Sequence, residues 1–315
     1  MATPGNQAVR IHQFGPSGVL HPEIIERPEP GAGEMLVRVE AASVNPVDLK
    51  MRSGKYPPTK ADSLPLILGR DLAGVIEKLG NDVADFSPGD EIYGLLDRDR
   101  GAYARYVVVK PEEAAHKPAN LGFVEAAAVP LAGLTAWQGL YDQGGLKAGQ
   151  RVLIHGGAGG VGHLAIQFAK ISGATVITTA SDKDRQFLAG LGADLVIDHK
   201  TQAFDELLAD DPVDLVFDVV GGDTRDRSFA IIKKGGMLVS TLGKPDASKG
   251  ADQNIRIAGY MTTANRGQLE QITRLIEAGE VVPHIADTLP LTEAAKAHDE
   301  LENQHIQGKI VLRAA

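Results

Sequence analysis

The sequence contains no cysteine. That removes a disulfide framework, a thiolate zinc site and a thiol nucleophile together. There is no excess of positive charge: 32 Lys and Arg stand against 41 Asp and Glu, a formal net charge of -9 with a pI near 5.5. Such a balance argues against binding a phosphate backbone as the main task, so no nucleic-acid partner is expected. No apolar run is long enough to cross a bilayer. The best window, residues 123–140, is broken by Glu125, Pro130 and Gln138, so no membrane association is expected. The opening MATPGNQAVRIHQFG has no apolar signal core and is not rich in Arg and Ser, which leaves the cytoplasm as the expected location. Internal repeats, low-complexity tracts and long charge runs are also missing.

What is present is 315 residues, 43% of them hydrophobic, enough for two domains. The first third carries short runs rich in Val, Ile and Tyr, such as EMLVRVEAASV, EIYGLL and AYARYVVVK, separated by Gly and Pro clusters. These are the marks of a barrel or sandwich. After residue 120 the texture changes. FVEAAAVPLAGLTAWQGLYDQ is helical with a break at Pro130. Strand candidates at 152–155, 175–179, 195–197, 215–219 and 237–240 then alternate with helix candidates such as 161–172 and 183–190. Alternation of this kind gives a parallel sheet covered on both faces. A β-like run returns near IADTLPL, followed by a helix at 293–302 and a last strand at 309–313. The expected fold class is therefore α/β. A β-rich domain is formed by residues 1–123 with 285–315, and a doubly wound Rossmann domain, 124–284, is inserted.

The segment HGGAGGVG at 155–162 has five glycines in eight residues. Gly157, Ala158, Gly159, Gly160, Val161 and Gly162 match G-x-G-x-x-G, with a strand before and an amphipathic helix after. In that setting the first glycines make a tight turn and expose N–H groups to a dinucleotide pyrophosphate. The last lets helix and strand approach closely. An NAD-binding unit usually ends its second strand on Asp or Glu to hold the ribose. Here ATVITTAS ends on Ser181, with Lys183 and Arg185 following. A hydroxyl and two cations suit a 2′-phosphate, so the expected cofactor is NADP(H). Asp182 points the other way, and Lys183 and Arg185 read equally well as a solvated first helical turn.

Taken together, the chain resembles the medium-chain dehydrogenase/reductase family, in its zinc-free quinone oxidoreductase and enone reductase type. The resemblance runs over nearly the whole chain. It is carried by AASVNPVDLKMRSGKYP, LGRDLAGVIEKLGNDVADFSPGDEIYG, AAAVPLAGLTAWQGL, VLIHGGAGGVGHLAIQFAK, LGADLVIDH and GKIVL. It implies a GroES-like fold for the β-rich domain, a homodimer, and hydride transfer to a quinone or to the C=C of an enone. Zinc-dependent members carry Cys near the place of Asn45 and Gly-His-Glu where this chain has Gly69-Arg70-Asp71. The nine histidines show no H-x-x-x-H spacing. Without a metal to polarise oxygen, the acceptor has to be electron-poor already.

The resemblance also assigns site residues. Asn45 and Asp48 match an Asn-x-x-Asp that lines the nicotinamide pocket, and Lys50 and Tyr56 are rival donors to a developing oxyanion. Plainer readings stand beside these: Asp48 as a helix cap, Lys50 as a surface lysine, Tyr56 as loop packing. Thr135 and the strand-end residues Val220, Leu242 and Gly243 are expected at the cofactor; Lys309 either reaches the cofactor cleft or simply begins a strand. His199 faces either the 2′-phosphate or solvent. Trp137 and Tyr260 are expected at the substrate pocket, with core packing the stronger reading for Trp137. Two alternatives to hydride transfer remain: one-electron quinone reduction, and a non-catalytic NADPH-binding role of the crystallin or RNA-binding kind.

Overall fold

A computed structural model describes residues 5–314; residues 1–4, the start of the segment read for a signal core, and residue 315 lie outside that description. The chain divides into two compact units. Of the described residues, one unit comprises 5–131 with Thr263–Gly279 and 283–314; the other comprises Ala132–Thr262 with Glu280–Val282. The chain thus leaves the β-rich unit later than residue 123 and first returns earlier than 285.

The early return has a physical cause in a helix that the sequence reading passed over, Arg266–Glu277. Asn265 caps it, accepting the Gln268 N–H at 3.0 Å. Leu269, Ile272 and Ile276 form its buried stripe. The buried Tyr93 hydroxyl ties it to the β-rich unit, donating to the Leu269 carbonyl at 2.7 Å with the Thr273 hydroxyl at 2.9 Å.

The β-rich unit holds a mainly antiparallel sheet in the order Ile285–Pro290, Lys309–Arg313, Met35–Val44, Asp71–Leu79, Glu91–Leu95, Ala114–His116, with Tyr106–Val109 also paired to Met35–Val44. A three-stranded sheet, His21–Ile25, Asn6–Ile11 and Leu66–Ile67, completes it. Met35, Val37, Leu72, Ile92 and Tyr103 lie in its apolar core. Two registers decide the site. Ile310 pairs with Val44 in antiparallel fashion, which puts Lys309 opposite Asn45. Ala41 pairs with Ala73, and continuing that register puts Ser43 opposite Asp71.

The second unit is built on six parallel strands in the order Leu195–Asp198, Thr175–Ala180, Arg151–His155, Val213–Asp218, Ile232–Ser240, Arg256–Gly259. The outermost strand, Arg256–Gly259, was not foreseen from the sequence. Leu153, Ile177, Val216 and Leu238 form the core on one face of this sheet. Arg151–His155 has Thr175–Ala180 on one side and Val213–Asp218 on the other, so strand order reverses across it. Such a switch point is where open α/β sheets bind ligands, beyond the carboxyl ends of the strands.

Candidate functional site

In the second unit, the loop after Arg151–His155 leads into the helix Gly162–Ile171. Gly156 turns the chain at φ +72°. A side chain at Gly157 would strike the Thr178 hydroxyl at 2.1 Å, and one at Gly162 would strike the Gly156 carbonyl oxygen at 2.2 Å. Those two glycines are demanded by packing. Gly159 differs: a Cβ there would meet nothing nearer than 3.5 Å. Open space over a glycine backbone at the switch point fits a pyrophosphate.

At the end of the neighbouring strand, Ser181 is buried and Lys183 and His199 are exposed. The His199 N–H donates to the Ala180 carbonyl at 3.1 Å, which brings it beside that strand end. Asp182 accepts from Arg185 Nε at 2.9 Å, and Arg185 Nη1 donates to the Val196 carbonyl at 2.8 Å. Arg185 is thus tied to the sheet edge through Nε and Nη1, and Ser181, Lys183 and His199 are polar groups suited, with it, to a 2′-phosphate.

Across the switch point a residue that the sequence reading missed, Asp218, organises two loops. It is fully buried, and its Oδ1 accepts the N–H groups of Val220 at 3.0 Å and Gly221 at 2.8 Å. Its Oδ2 accepts the Ser240 hydroxyl at 2.8 Å, and Ser240 in turn accepts the Leu242 N–H at 3.1 Å. Val220 and Leu242, with Gly243 beyond, are thereby presented at the strand ends, and the first two are large apolar side chains left exposed. An Asp closing a buried strand just before Val-Val-Gly-Gly was the available signal.

Thr135 sits before a stretch of π-helix, Gln138–Gln143. Its hydroxyl bonds that of Thr262 at 2.7 Å, and its carbonyl accepts the Tyr260 hydroxyl. Tyr260 thus also props the helix backbone. Trp137 packs edge-on against Tyr141 and Phe168.

In the β-rich unit the two strand registers gather a buried polar cluster. Asp71 Oδ2 accepts the Ser43 hydroxyl and Asn45 Nδ2, the latter at 2.8 Å; Asp71 Oδ1 accepts the Leu131 N–H at 2.6 Å. Lys309 Nζ donates to the Val44 carbonyl at 3.0 Å and to Asn45 Oδ1, and stands 3.8 Å from Asp71 Oδ2. Lys309 begins the strand Lys309–Arg313, as one of its two readings had it, and its ammonium is held inside the β-rich unit because the register sets it opposite Asn45.

Asn45 also opens the helix Pro46–Arg52, and its N–H donates to Asp48 Oδ2 at 2.8 Å. Asp48 therefore does act as part of a cap. Its other oxygen, Oδ1, is buried without a hydrogen-bond partner among the described residues. Burial first, and the Asp71 charge after it, push the Asp48 carboxyl up to about 7, against the Asn45 hydrogen bond and the cations Lys309 and Arg70. Such a group holds or yields a proton near neutrality. Lys50, on the same helix, is exposed and forms no ion pair among the described residues. Tyr56 is half-buried against the apolar core, with the Arg98 guanidinium 5.8 Å from its ring centre.

Behind Asp48 lies a chain of groups that local sequence patterns did not reveal. Arg52 Nη1 is 3.3 Å from His298 Nδ1, and since arginine only donates, that nitrogen accepts. The His298 proton is then on Nε2, which faces the Tyr103 hydroxyl at 3.1 Å. Burial, with Arg52 beside it, holds His298 down to about 3, so the ring stays neutral at working pH. Burial and the Asp48 and Asp71 carboxylates raise the Tyr103 phenol well above its usual value.

A β-rich unit with a buried carboxylate cluster, and a doubly wound unit with an open glycine loop at its switch point, define a dinucleotide-dependent oxidoreductase of two units. Comparison with known proteins agrees. Residues 31–119 match the alcohol dehydrogenase GroES-like domain, and residues 191–312 match the zinc-binding dehydrogenase model. The NADPH-dependent alkenal/one oxidoreductase of Arabidopsis thaliana, a chloroplastic protein, is 36% identical over 94% of this chain and 74% of its own length. The quinone oxidoreductase of Coxiella burnetii superposes with a TM-score of 0.92 at 38% identity, covering 99% of this chain and all of that one. The quinone oxidoreductase of Escherichia coli, solved with NADPH, gives 0.89 at 29% identity, covering 98% and 99%. The chain belongs to the medium-chain dehydrogenase/reductase family, in its quinone oxidoreductase and enone reductase type, and is an oxidoreductase.

Proposed function

We propose that this protein uses NADPH to reduce quinones or the C=C bond of α,β-unsaturated carbonyl compounds, by hydride transfer and without zinc. The observation that carries the reading is the donor set of the buried cluster. Asn45, Asp48 and Asp71 share it with two cations, Arg70 and Lys309. Among the described residues no group of three His, Cys, Asp or Glu side chains is placed to hold a metal ion. A carboxylate pair already faced by an ammonium and a guanidinium does not suit zinc. Reduction then needs an acceptor whose own conjugation makes it electron-poor, and enones and quinones are such acceptors. The names of the Arabidopsis and Coxiella relatives support both substrate classes, and the Arabidopsis and Escherichia proteins support NADPH.

When bound, NADPH supplies the hydride from its nicotinamide ring. The open backbone at Gly159 would hold its pyrophosphate, and Ser181, Lys183 and His199 its 2′-phosphate. Thr135 would meet its phosphates or its nicotinamide side. Lys50 supplies the balancing proton, its exposed ammonium forming no ion pair among the described residues, with Tyr56 as the rival donor. A homodimer in the cytoplasm completes the reading, and sedimentation of the purified protein tests the first half of it.

The test is NADPH oxidation with small enones and with quinones, oxygen uptake being recorded, with and without a metal chelator. Enone turnover without oxygen uptake, indifferent to chelator, supports two-electron reduction. Turnover of quinones alone with oxygen uptake replaces hydride transfer by one-electron chemistry. Binding of NADPH without any turnover points to a non-catalytic role. Loss of activity on chelation sinks the metal-free reading.

Two further results are expected. A 2′-phosphate held by Lys183 and Ser181 through charge-assisted hydrogen bonds is worth about 1.5–3 kcal/mol, so kcat/KM for NADPH should exceed that for NADH by roughly ten- to a hundredfold. Equal use of NADH removes the assignment. Lys50→Ala should lower kcat by about a hundredfold, the scale of a general acid, with NADPH affinity kept. An unchanged rate takes Lys50 out of the reaction and leaves Tyr56.

A further inference from the structure

We propose that Lys309 is a positioning residue of this reduction, acting through Asn45 and Asp48 from a strand at the far end of the chain. The proposal rests on the reductase reading above.

A lysine this deeply buried is rare and needs a reason. Stability is a weak one, because a buried ion pair can often be replaced by apolar packing without loss. The geometry offers another. Two of the ammonium's three hydrogens go to the Val44 carbonyl and Asn45 Oδ1, and the group stands 3.8 Å from Asp71 Oδ2. Asn45 is then held at both ends of its amide, Oδ1 on the ammonium and Nδ2 on Asp71. An amide so gripped has one orientation. The Asn45 backbone N–H in turn reaches Asp48 Oδ2. Lys309 therefore fixes the start of the short helix that carries both Asp48 and Lys50.

It also takes part in the electrostatics of Asp48. The charged and titratable groups acting on that carboxyl are Asp71, Lys309 and Arg70, with the Tyr103 phenol. Asp71 opposes ionisation and the two cations favour it. Without the ammonium the Asn45 hydrogen bond and Arg70 remain to offset burial and the Asp71 charge, and loss of an opposite charge near a carboxyl shifts its titration by roughly one unit or more. The proton on Asp48 at neutral pH is thus partly under the control of Lys309.

The experiment compares the unaltered protein with Lys309→Gln, which keeps hydrogen-bond donors without charge, and Lys309→Arg, which keeps the charge. Infrared difference spectroscopy of the substrate-free protein follows the carboxylic-acid band that disappears in Asp48→Asn. NADPH oxidation supplies the pH profile of kcat/KM, and NADPH affinity is measured alongside. In the unaltered protein the band should titrate near neutrality. In Lys309→Gln both the band and the kinetic inflection should move up by about one pH unit, with NADPH affinity kept; in Lys309→Arg both should stay near their original place. Coincident curves for Lys309→Gln and the unaltered protein overturn the proposal, as does an Arg variant displaced as far as the Gln one. Should the Gln variant not fold, the unaltered protein still decides: no Asp48 band titrating between about pH 6 and 8 sinks the idea. Absence of turnover with every acceptor, beside a normal infrared titration, instead refutes the reductase reading.

Discussion

Asp71→Asn is expected to lower the melting midpoint of the β-rich unit by about 10 °C. The carboxylate is fully buried and accepts from three donors: the Ser43 hydroxyl, Asn45 Nδ2 and the Leu131 N–H. An amide has the same shape but offers only one acceptor oxygen. Its nitrogen would turn two hydrogens toward groups that also donate, and the Lys309 ammonium would lose a counter-charge 3.8 Å away. Breaking a buried ion pair by removing one partner costs about 3–5 kcal/mol. For a unit of this size each kcal/mol moves the midpoint by about 2–4 °C. Calorimetry measures the shift. The double variant Asp71→Asn with Lys309→Met separates the causes. If the uncompensated ammonium is the main penalty, removing it recovers part of the loss. A double variant no more stable than the single one assigns the damage to the lost acceptor bonds instead. A shift under about 2 °C would show that the cluster is hydrated and adds little to stability.

The contrast between this cluster and the glycine loop explains what the sequence could disclose. Gly157 to Gly162 is legible because its geometry is local. The turn, the helix start and the preceding strand lie within a dozen residues, and the strands expected at 152–155, 175–179 and 195–197 fall within Arg151–His155, Thr175–Ala180 and Leu195–Asp198. Lys309 and Asn45 are 264 positions apart, and only the antiparallel pairing of Ile310 with Val44 joins them. Nothing near GKIVL announces that its lysine is buried. The pair Tyr103 and His298 is hidden for the same reason, since a lone buried histidine has no local pattern. Arg266–Glu277 is a different kind of miss: its cap at Asn265 and its stripe of Leu269, Ile272 and Ile276 were there to be read. That helix moved the domain boundary, because it packs on the β-rich unit through Tyr93 rather than on the doubly wound sheet.

Within the glycine loop the structure predicts two unlike outcomes from the same small change. Gly162→Ala should damage both folding and cofactor binding, because its methyl group would lie 2.2 Å from the Gly156 carbonyl oxygen and 2.7 Å from the Gly157 Cα. Both are backbone atoms and cannot swing aside, so the helix has to move off the strand. Overpacking of this kind costs about 1–3 kcal/mol. Gly159→Ala should leave the melting midpoint within about 1 °C of the original, since its methyl meets nothing nearer than 3.5 Å and uncrowded surface changes cost little. Yet that methyl occupies the space where a pyrophosphate must approach the backbone. Loss of one well-placed hydrogen bond to a charged group is worth about 1.5–3 kcal/mol, so NADPH affinity should fall by roughly ten- to a hundredfold. Fluorescence titration of NADPH beside thermal melts of the apoprotein separates the two. A Gly159→Ala protein that binds NADPH as tightly as the original would remove the loop backbone from the phosphate site. The polar groups at Ser181, Lys183 and His199 would then have to carry the cofactor alone. A Gly162→Ala protein with an unchanged midpoint would mean that strand and helix part more easily than a 2.2 Å approach allows.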